Sequence, residues 1–271
     1  MDEGGQPRFV EAPEPASPAM RVLACGLCGS DVEKLGVASA GMVLGHEVVA
    51  QGADGQRVAL IHHLPCGECE RCLAGHESTC ERFSAPTIVP GGFAERVGEA
   101  PGVEVPAGLS DTVGTYVEPL ACVLRGAERV PRGRVLVVGQ GFVGRLFAEV
   151  LRRRGDDVYA IDVNPERAGR SPDRPVDAAV LCAPAAPLEL VASGGTVLVF
   201  ANPGAIDAEA VYRRELTLTG SRSATPRHME EAAALLPELD VPEPTVLPHE
   251  RFTEGVELYR SGQALKVVFT P

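Results

Sequence analysis

Tryptophan is absent from this chain, and aromatic residues make up only 4% of its 271 positions. A binding pocket walled by aromatic rings is therefore disfavoured. An excess of basic residues is lacking too: 25 Lys and Arg against 37 Asp and Glu give a formal charge of −12. That balance argues against nucleic acid or an anionic membrane surface as the main partner. No apolar run approaches the ~20 residues that a membrane-spanning helix requires. The opening residues, MDEGGQPRFVEAPEPASP, are acidic and proline-rich, unlike the basic start and apolar middle of a signal peptide. A cytoplasmic location is the expectation, and cysteines there serve metals more often than disulfides. The remaining composition, 45% hydrophobic and 23% charged, is that of a chain able to build two modest domains.

Against that background the cysteines stand out. Cys66, Cys69, Cys72 and Cys80 lie in PCGECERCLAGHESTC, a C-x2-C-x2-C-x7-C run. Four thiolates in one short loop can close a tetrahedral shell around Zn²⁺ and leave no position open for a substrate. The spacing predicts a structural zinc site.

A second signal lies at 134–144, RVLVVGQGFVG. Gly139, Gly141 and Gly144 have G-x-G-x-x-G spacing, with a strand-like run before them and a helix-like stretch after. The next strand candidate, DVYAID, ends in Asp162, about where a dinucleotide needs an acidic partner for its ribose hydroxyls. Gly139, Gly141, Phe142, Val143 and Gly144 are the expected cofactor-binding turn, with the pyrophosphate facing the helix N-terminus.

Texture divides the chain into 1–125, rich in Gly, Pro and short β-like runs, and 126–240, where apolar strands alternate with helical stretches. The segment 241–271 adds a strand-like TVLP, an amphipathic FTEGVELYRSG and a last strand, ALKVVFT. The proline cluster at 13–18 reads as a short linker or extended arm.

A third constellation precedes the cysteine loop: CGLCGSD with Cys28, Ser30 and Asp31, then LGHEVVA with His46 and Glu47, and later YVEPLAC with Glu118. Cys, His and Glu are suitable ligands for a zinc that keeps a position open. Ser30 and Asp31 also suit the start of a helix as an N-cap pair.

Taken in order, G-L-C-G-S-D at 26–31, G-H-E at 45–47, the four-cysteine loop, G-G-F-A-E at 91–95, E-P-L-A at 118–121 and G-Q-G-F-V-G at 139–144 resemble the zinc-dependent medium-chain alcohol dehydrogenases. The likeness is greatest to the polyol (sorbitol) and threonine dehydrogenase branch, and LTLTGSRS at 216–223 and ALKVVF at 264–269 share it. The resemblance implies an α/β protein with a GroES-like β-rich catalytic domain at 1–125, a Rossmann domain at 126–240, and 241–271 returning to the catalytic domain. It also implies a cleft between the domains holding zinc and NAD, a small-molecule substrate, and a homo-oligomer, dimer or tetramer. By the same resemblance Cys28, His46, Glu47 and Glu118 match the catalytic-zinc positions, with Cys122 a substitute one helical turn beyond Glu118. Ser30 matches the hydroxyl of the proton relay, and Glu33 stands where many relatives carry a relay histidine. A zinc-bound alcohol losing its proton through Ser30 and its hydride to NAD is the implied chemistry. With few aromatics, a polyol, sugar, cyclitol or amino-alcohol is the expected substrate. The alternative is a zinc-stabilised NAD-binding redox sensor or partner subunit without turnover.

The chain is shorter than that pattern. Only the fourteen residues 163–176 separate Asp162 from the strand DAAVLCA, too few for a further helix and strand. In a 3-2-1-4-5-6 sheet strand 3 is an edge, so its loss predicts a continuous 2-1-4-5-6 sheet. Asp162 favours NAD over NADP, while Arg167 and Arg170 lie near enough in sequence to meet a phosphate if the shortened loop folds back.

Overall fold

The computed structural model describes residues 1–15, 18–83 and 86–271, so Ala16 and Ser17 of the proline cluster lie outside the described residues. Two compact units emerge: residues 1–121 with 224–271, and residues 122–223.

The first unit begins with β1 (Ala19–Gly26), α1 (Gly29–Lys34), β2 (Glu47–Gln51) and β3 (Arg57–Leu60). The short helix α2 (Glu70–Leu73) lies in the cysteine loop, followed by β4 (Arg96–Gly98), β5 (Gly102–Glu104) and α3 (Asp111–Gly114). Helix α4 (Val117–Ala127) carries the chain out of this unit. Antiparallel pairing sets Gly26 of β1 opposite Glu47 of β2 and Cys25 opposite Val48. The end of one strand thus meets the start of the other, and Cys28 and His46, just past those ends, converge. The geometry of the metal-ligand candidates follows from this one register.

The second unit holds β6 (Arg134–Val138), α5 (Phe142–Arg153), β7 (Asp157–Ile161), β8 (Val176–Leu181), β9 (Val191–Val199), α6 (Ala208–Arg213) and β10 (Thr217–Gly220). Its five strands are ordered β10-β9-β8-β6-β7, all parallel. In sequence order this is the 2-1-4-5-6 sheet expected from the deletion. Helix α5 forms because Phe142, Leu146, Phe147, Val150 and Leu151 make one buried stripe, and it packs along β6 and β7. A core cluster of the sheet joins Leu136, Val138, Tyr159, Ala179, Leu181 and Val197, with Ala210 and Val211 of α6 packed against it.

Loss of strand 3 exposes β7 as a sheet edge, a position prone to unwanted pairing unless covered. The shortened loop covers it. Gly169 N–H donates to Ala160 O at 3.1 Å, and Ala160 N–H donates to Arg170 O at 3.0 Å. The guanidiniums of Arg134 and Arg170 lie 4.6 and 4.1 Å from the Tyr159 ring centroid. Tyr159 in turn donates its hydroxyl to Asp157 at 2.7 Å. Each cation–π contact contributes about 0.5–1 kcal/mol at a partly exposed position.

The chain re-enters the first unit at Ala224, not at 241. Helix α7 (Pro226–Leu235) buries His228, Met229, Ala232 and Ala233 and packs with β5, so its apolar face belongs to the first unit. Then come β11 (Thr245–Pro248), α8 (Phe252–Arg260) and β12 (Val267–Thr270). β12 pairs antiparallel with β1, setting Phe269 opposite Cys25 and Val268 opposite Gly26, which completes a sheet ordered β11-β12-β1-β2-β3-β5, with β4 also on β1. Among the described residues no helix is long and apolar enough to cross a membrane.

Candidate metal centres and dinucleotide-binding turn

Among the described residues, two groups of side chains bring their ligand atoms within 4.8 Å of one another: Cys66, Cys69, Cys72 and Cys80, and Cys28, His46 and Glu47. Both lie in the first unit.

In the four-cysteine loop the Cys66 and Cys72 sulfurs are 3.9 Å apart and those of Cys69 and Cys80 are 4.0 Å apart. A disulfide would require about 2.05 Å, and all eight cysteines are free thiols. A tetrahedron with Zn–S bonds of ~2.3 Å has edges of about 3.8 Å, so the sulfur spacing fits the ion. Backbone amides point at the sulfurs: Cys69 N–H at Cys66 Sγ (3.3 Å), Cys66 N–H at Cys80 Sγ (3.4 Å) and Arg82 N–H at Cys80 Sγ (3.3 Å). Such donors favour thiolate. The Glu81 amide is the main cause that brings Cys69 down to about 6, and the Cys66 amide lowers Cys80, while desolvation pushes Cys72 up to about 12.

The second group has a different character. His46 Nδ1 lies 3.3 Å from Asp31 Oδ1. The same buried carboxylate accepts from Cys28 N–H at 3.2 Å and Gly45 N–H at 3.3 Å. Asp31 therefore ties the Cys28 loop to the His46 loop and engages Nδ1 of the imidazole, leaving Nε2 as the nitrogen a metal would use. A carboxylate behind a histidine is the usual support of a zinc ligand. Burial alone would lower His46 and raise Asp31. Their mutual attraction overrides it, holding the imidazole well above and the carboxylate below their ordinary values. Here sequence reasoning was incomplete. Cys28 is the N-cap of α1, and Asp31 sits at the third helical position reaching back to it. Asp31→Asn is expected to weaken zinc affinity about 10–100-fold with the fold retained; metal-competition titration measures it, and unchanged affinity would remove the positioning role.

Glu47 is buried, and its Oε2 contacts Lys266 Nζ, which also donates to Leu27 O at 3.1 Å. Lys266 arrives on the residue before β12, a partner 219 positions away that spacing alone does not disclose. Glu118 is buried in the first turn of α4 but does not join the 4.8 Å group, nor does Cys122. Ser30 is half-buried and Glu33 exposed on α1. His62, not anticipated, has its ring centroid 4.8 Å from that of His46. His62 is exposed to solvent at the residue level, yet desolvation of its imidazole, then the His46 charge, pushes it down to about 4.

The second unit holds the glycine turn. Gly139 has φ +89°, and a Cβ on Gly144 would meet Gly139 O at 1.8 Å, so the close approach of helix to turn requires glycine there. Gly141 caps α5, with Phe142, Val143 and Gly144 in its first turn. Asp162 follows β7. Its Oδ2 accepts from Gln140 N–H at 2.6 Å and its Oδ1 from Asn164 N–H at 2.8 Å. The carboxylate is thus aimed at the glycine turn and keeps lone pairs for further donors.

Residues 15–101 match the family model described as the alcohol dehydrogenase GroES-like domain. The chain is 31% identical, over an alignment of 273 residues, to the D-altritol 5-dehydrogenase of Agrobacterium fabrum, covering 82% of this chain and 81% of that protein. To the sorbitol dehydrogenase of Halalkalibacterium halodurans it is 27% identical over 324 residues, covering 96% and 94%. The solved structure of an alcohol dehydrogenase from a Thermus species shares the fold, with a TM-score of 0.80 at 24% identity over 100% of this chain and 98% of that one. The chain belongs to the zinc-dependent medium-chain alcohol dehydrogenases, on their polyol branch. It is an oxidoreductase that acts on secondary alcohols with zinc and a nicotinamide dinucleotide.

Proposed function

We propose that the protein transfers hydride between a secondary hydroxyl of a polyol, sugar, cyclitol or amino-alcohol and NAD, with two zinc ions per chain, one for each ligand group. The convergence of Cys28, His46 and Glu47 in front of Asp31 supports this reading most directly. Cys28, His46 and Glu47 would hold the catalytic zinc, with Glu118 the further carboxylate that the family pattern brings to it. A carboxylate has two oxygens, so the contact of Glu47 with Lys266 and ligation are compatible. Cys66, Cys69, Cys72 and Cys80 would hold the structural ion.

When bound, zinc would supply Lewis acidity to the substrate hydroxyl and NAD would supply the hydride acceptor. The chain's own residues then manage the proton. Ser30, half-buried near Cys28, would accept it while giving up its own hydroxyl proton, and Glu33, three residues along the same helix and exposed, would receive that proton and release it to solvent. Incubating the zinc-loaded protein with NAD and a panel of polyols and amino-cyclitols, with NADH absorbance as the readout, tests the reading. No NADH from any of them would overturn it. A cytoplasmic homo-oligomer is the accompanying expectation, the location from the reduced thiols and the assembly from the family resemblance alone, tested by cell fractionation and light scattering.

NAD is the proposed cofactor because a carboxylate at Asp162 suits ribose hydroxyls and repels a 2′-phosphate. One of the two opposing charges is diverted: Arg170 pairs with Asp157 and stacks on Tyr159 at the start of β7, whereas Asp162 follows its end. Asp162→Ala is expected to reduce the ratio of kcat/KM for NAD over NADP about tenfold, equivalent to ~1.4 kcal/mol. Steady-state kinetics with both cofactors measures it, and a wild type that favours NADP would contradict the assignment.

A further inference from the structure

We infer that His62 is a specificity-determining residue that hydrogen-bonds a second hydroxyl of the substrate, next to the reacting carbinol, so that vicinal diols are preferred over isolated secondary alcohols. The inference rests on the reading of Cys28, His46 and Glu47 as the catalytic metal group.

The position is specific. His62 follows β3, and its ring lies over that of His46 with centroids 4.8 Å apart and planes tilted by 37°. Its backbone is pinned, since its carbonyl accepts from Thr87 Oγ1 at 2.5 Å and the preceding Ile61 N–H donates to Pro101 O at 2.9 Å. The imidazole therefore borders the His46 group, and the residue is exposed to solvent, where a substrate can reach it. Among the described residues neither ring nitrogen of His62 has a hydrogen-bond partner, whereas His46 Nδ1, His63 Nε2 and His228 Nδ1 each have one.

The chemistry narrows the ligand. A neutral imidazole presents one N–H donor and one acceptor nitrogen, the complement of a hydroxyl, which also donates and accepts. A substrate with one hydroxyl uses it at the reacting site and offers His62 only carbon. A vicinal diol offers a second hydroxyl. Sites built to hydrogen-bond a substrate group discriminate strongly against analogues that lack it, because their own polar atoms are left unpaired.

The test compares 1,2-cyclohexanediol with cyclohexanol in the wild type, His62→Phe and His62→Asn, all zinc-loaded to matched metal content. The phenylalanine keeps the ring contact with His46 without a polar atom; the asparagine keeps a donor and an acceptor. The wild type is expected to favour the diol in kcat/KM. His62→Phe should lower the diol-to-monoalcohol ratio about tenfold or more, mainly through KM, and His62→Asn should restore part of it. Calorimetric binding of the diol to the NAD-saturated protein should weaken in parallel in His62→Phe. Equal losses on both alcohols, or an unchanged ratio, would overturn the inference while leaving the dehydrogenase reading intact. A wild type that oxidises neither alcohol nor any polyol of the wider panel would overturn both.

Discussion

His46→Ala is expected to lower kcat/KM for a polyol by about 10³-fold or more, roughly 4 kcal/mol of transition-state stabilisation, while the chain stays folded. Cys28→Ala should behave alike. The asymmetry between activity and stability follows from where these side chains sit. Neither joins the described apolar clusters around Val22 and Val48 or around Leu27 and Phe269. Removing the imidazole frees one contact of Asp31, yet that carboxylate still accepts from the amides of Cys28 and Gly45, so it is not stranded. Leaving a buried polar group partly satisfied costs less than the ~1–3 kcal/mol of a fully unsatisfied one. Zinc content should fall from two ions per chain toward one, read by elemental analysis, with the circular dichroism spectrum unchanged. Normal turnover in either purified variant would end the assignment of this group to catalysis.

Much of the architecture was legible because two periodicities dominate the chain. The strand candidates at 134–139, 157–162 and 177–183 correspond to β6, β7 and β8, and the brevity of 163–176 was enough to deduce the strand order. Where legibility failed, the cause was a contact distant in sequence or an ambiguous face. Asp31 reads locally as part of a helix start, but its carboxylate works on Gly45 and His46, which only the β1–β2 register brings near. Lys266 reaches Glu47 only because β12 joins β1. The amphipathic stripe of α7 could serve either unit, so composition placed the return at 241 when packing on β5 places it at Ala224. Arg167 and Arg170 were both possible phosphate contacts on paper. The folded-back loop sends Arg170 to Tyr159 and Asp157 instead, a use of the residue that exists only because a strand is missing.

Cys69→Ala should act on stability before it acts on chemistry. The loop from Cys66 to Cys80 has little apolar interior of its own. Its helix α2 spans four residues with none buried, and Leu73 is 76% exposed. The sulfurs and the amides that point at them are what close the loop, so metal binding and local folding are one equilibrium. Structural zinc sites in small peptides bind with apparent free energies of about 10–16 kcal/mol. Here only part of that is expected to reach the global fold, because no strand of the first unit's sheet lies within the loop. A loss of ~3 kcal/mol is the expected share, which for a chain of this size lowers Tm by roughly 6–12 °C. Substitution of Cys66, Cys72 or Cys80 should give the same shift, since a tetrahedral shell fails whichever corner is removed. Cys182→Ala is the control: its thiol belongs to neither metal group and zinc content should not change. Calorimetric melting with zinc quantified in the same samples decides the matter, and a Cys69→Ala protein with full Tm and one fewer zinc would show that the loop needs no metal to hold its shape.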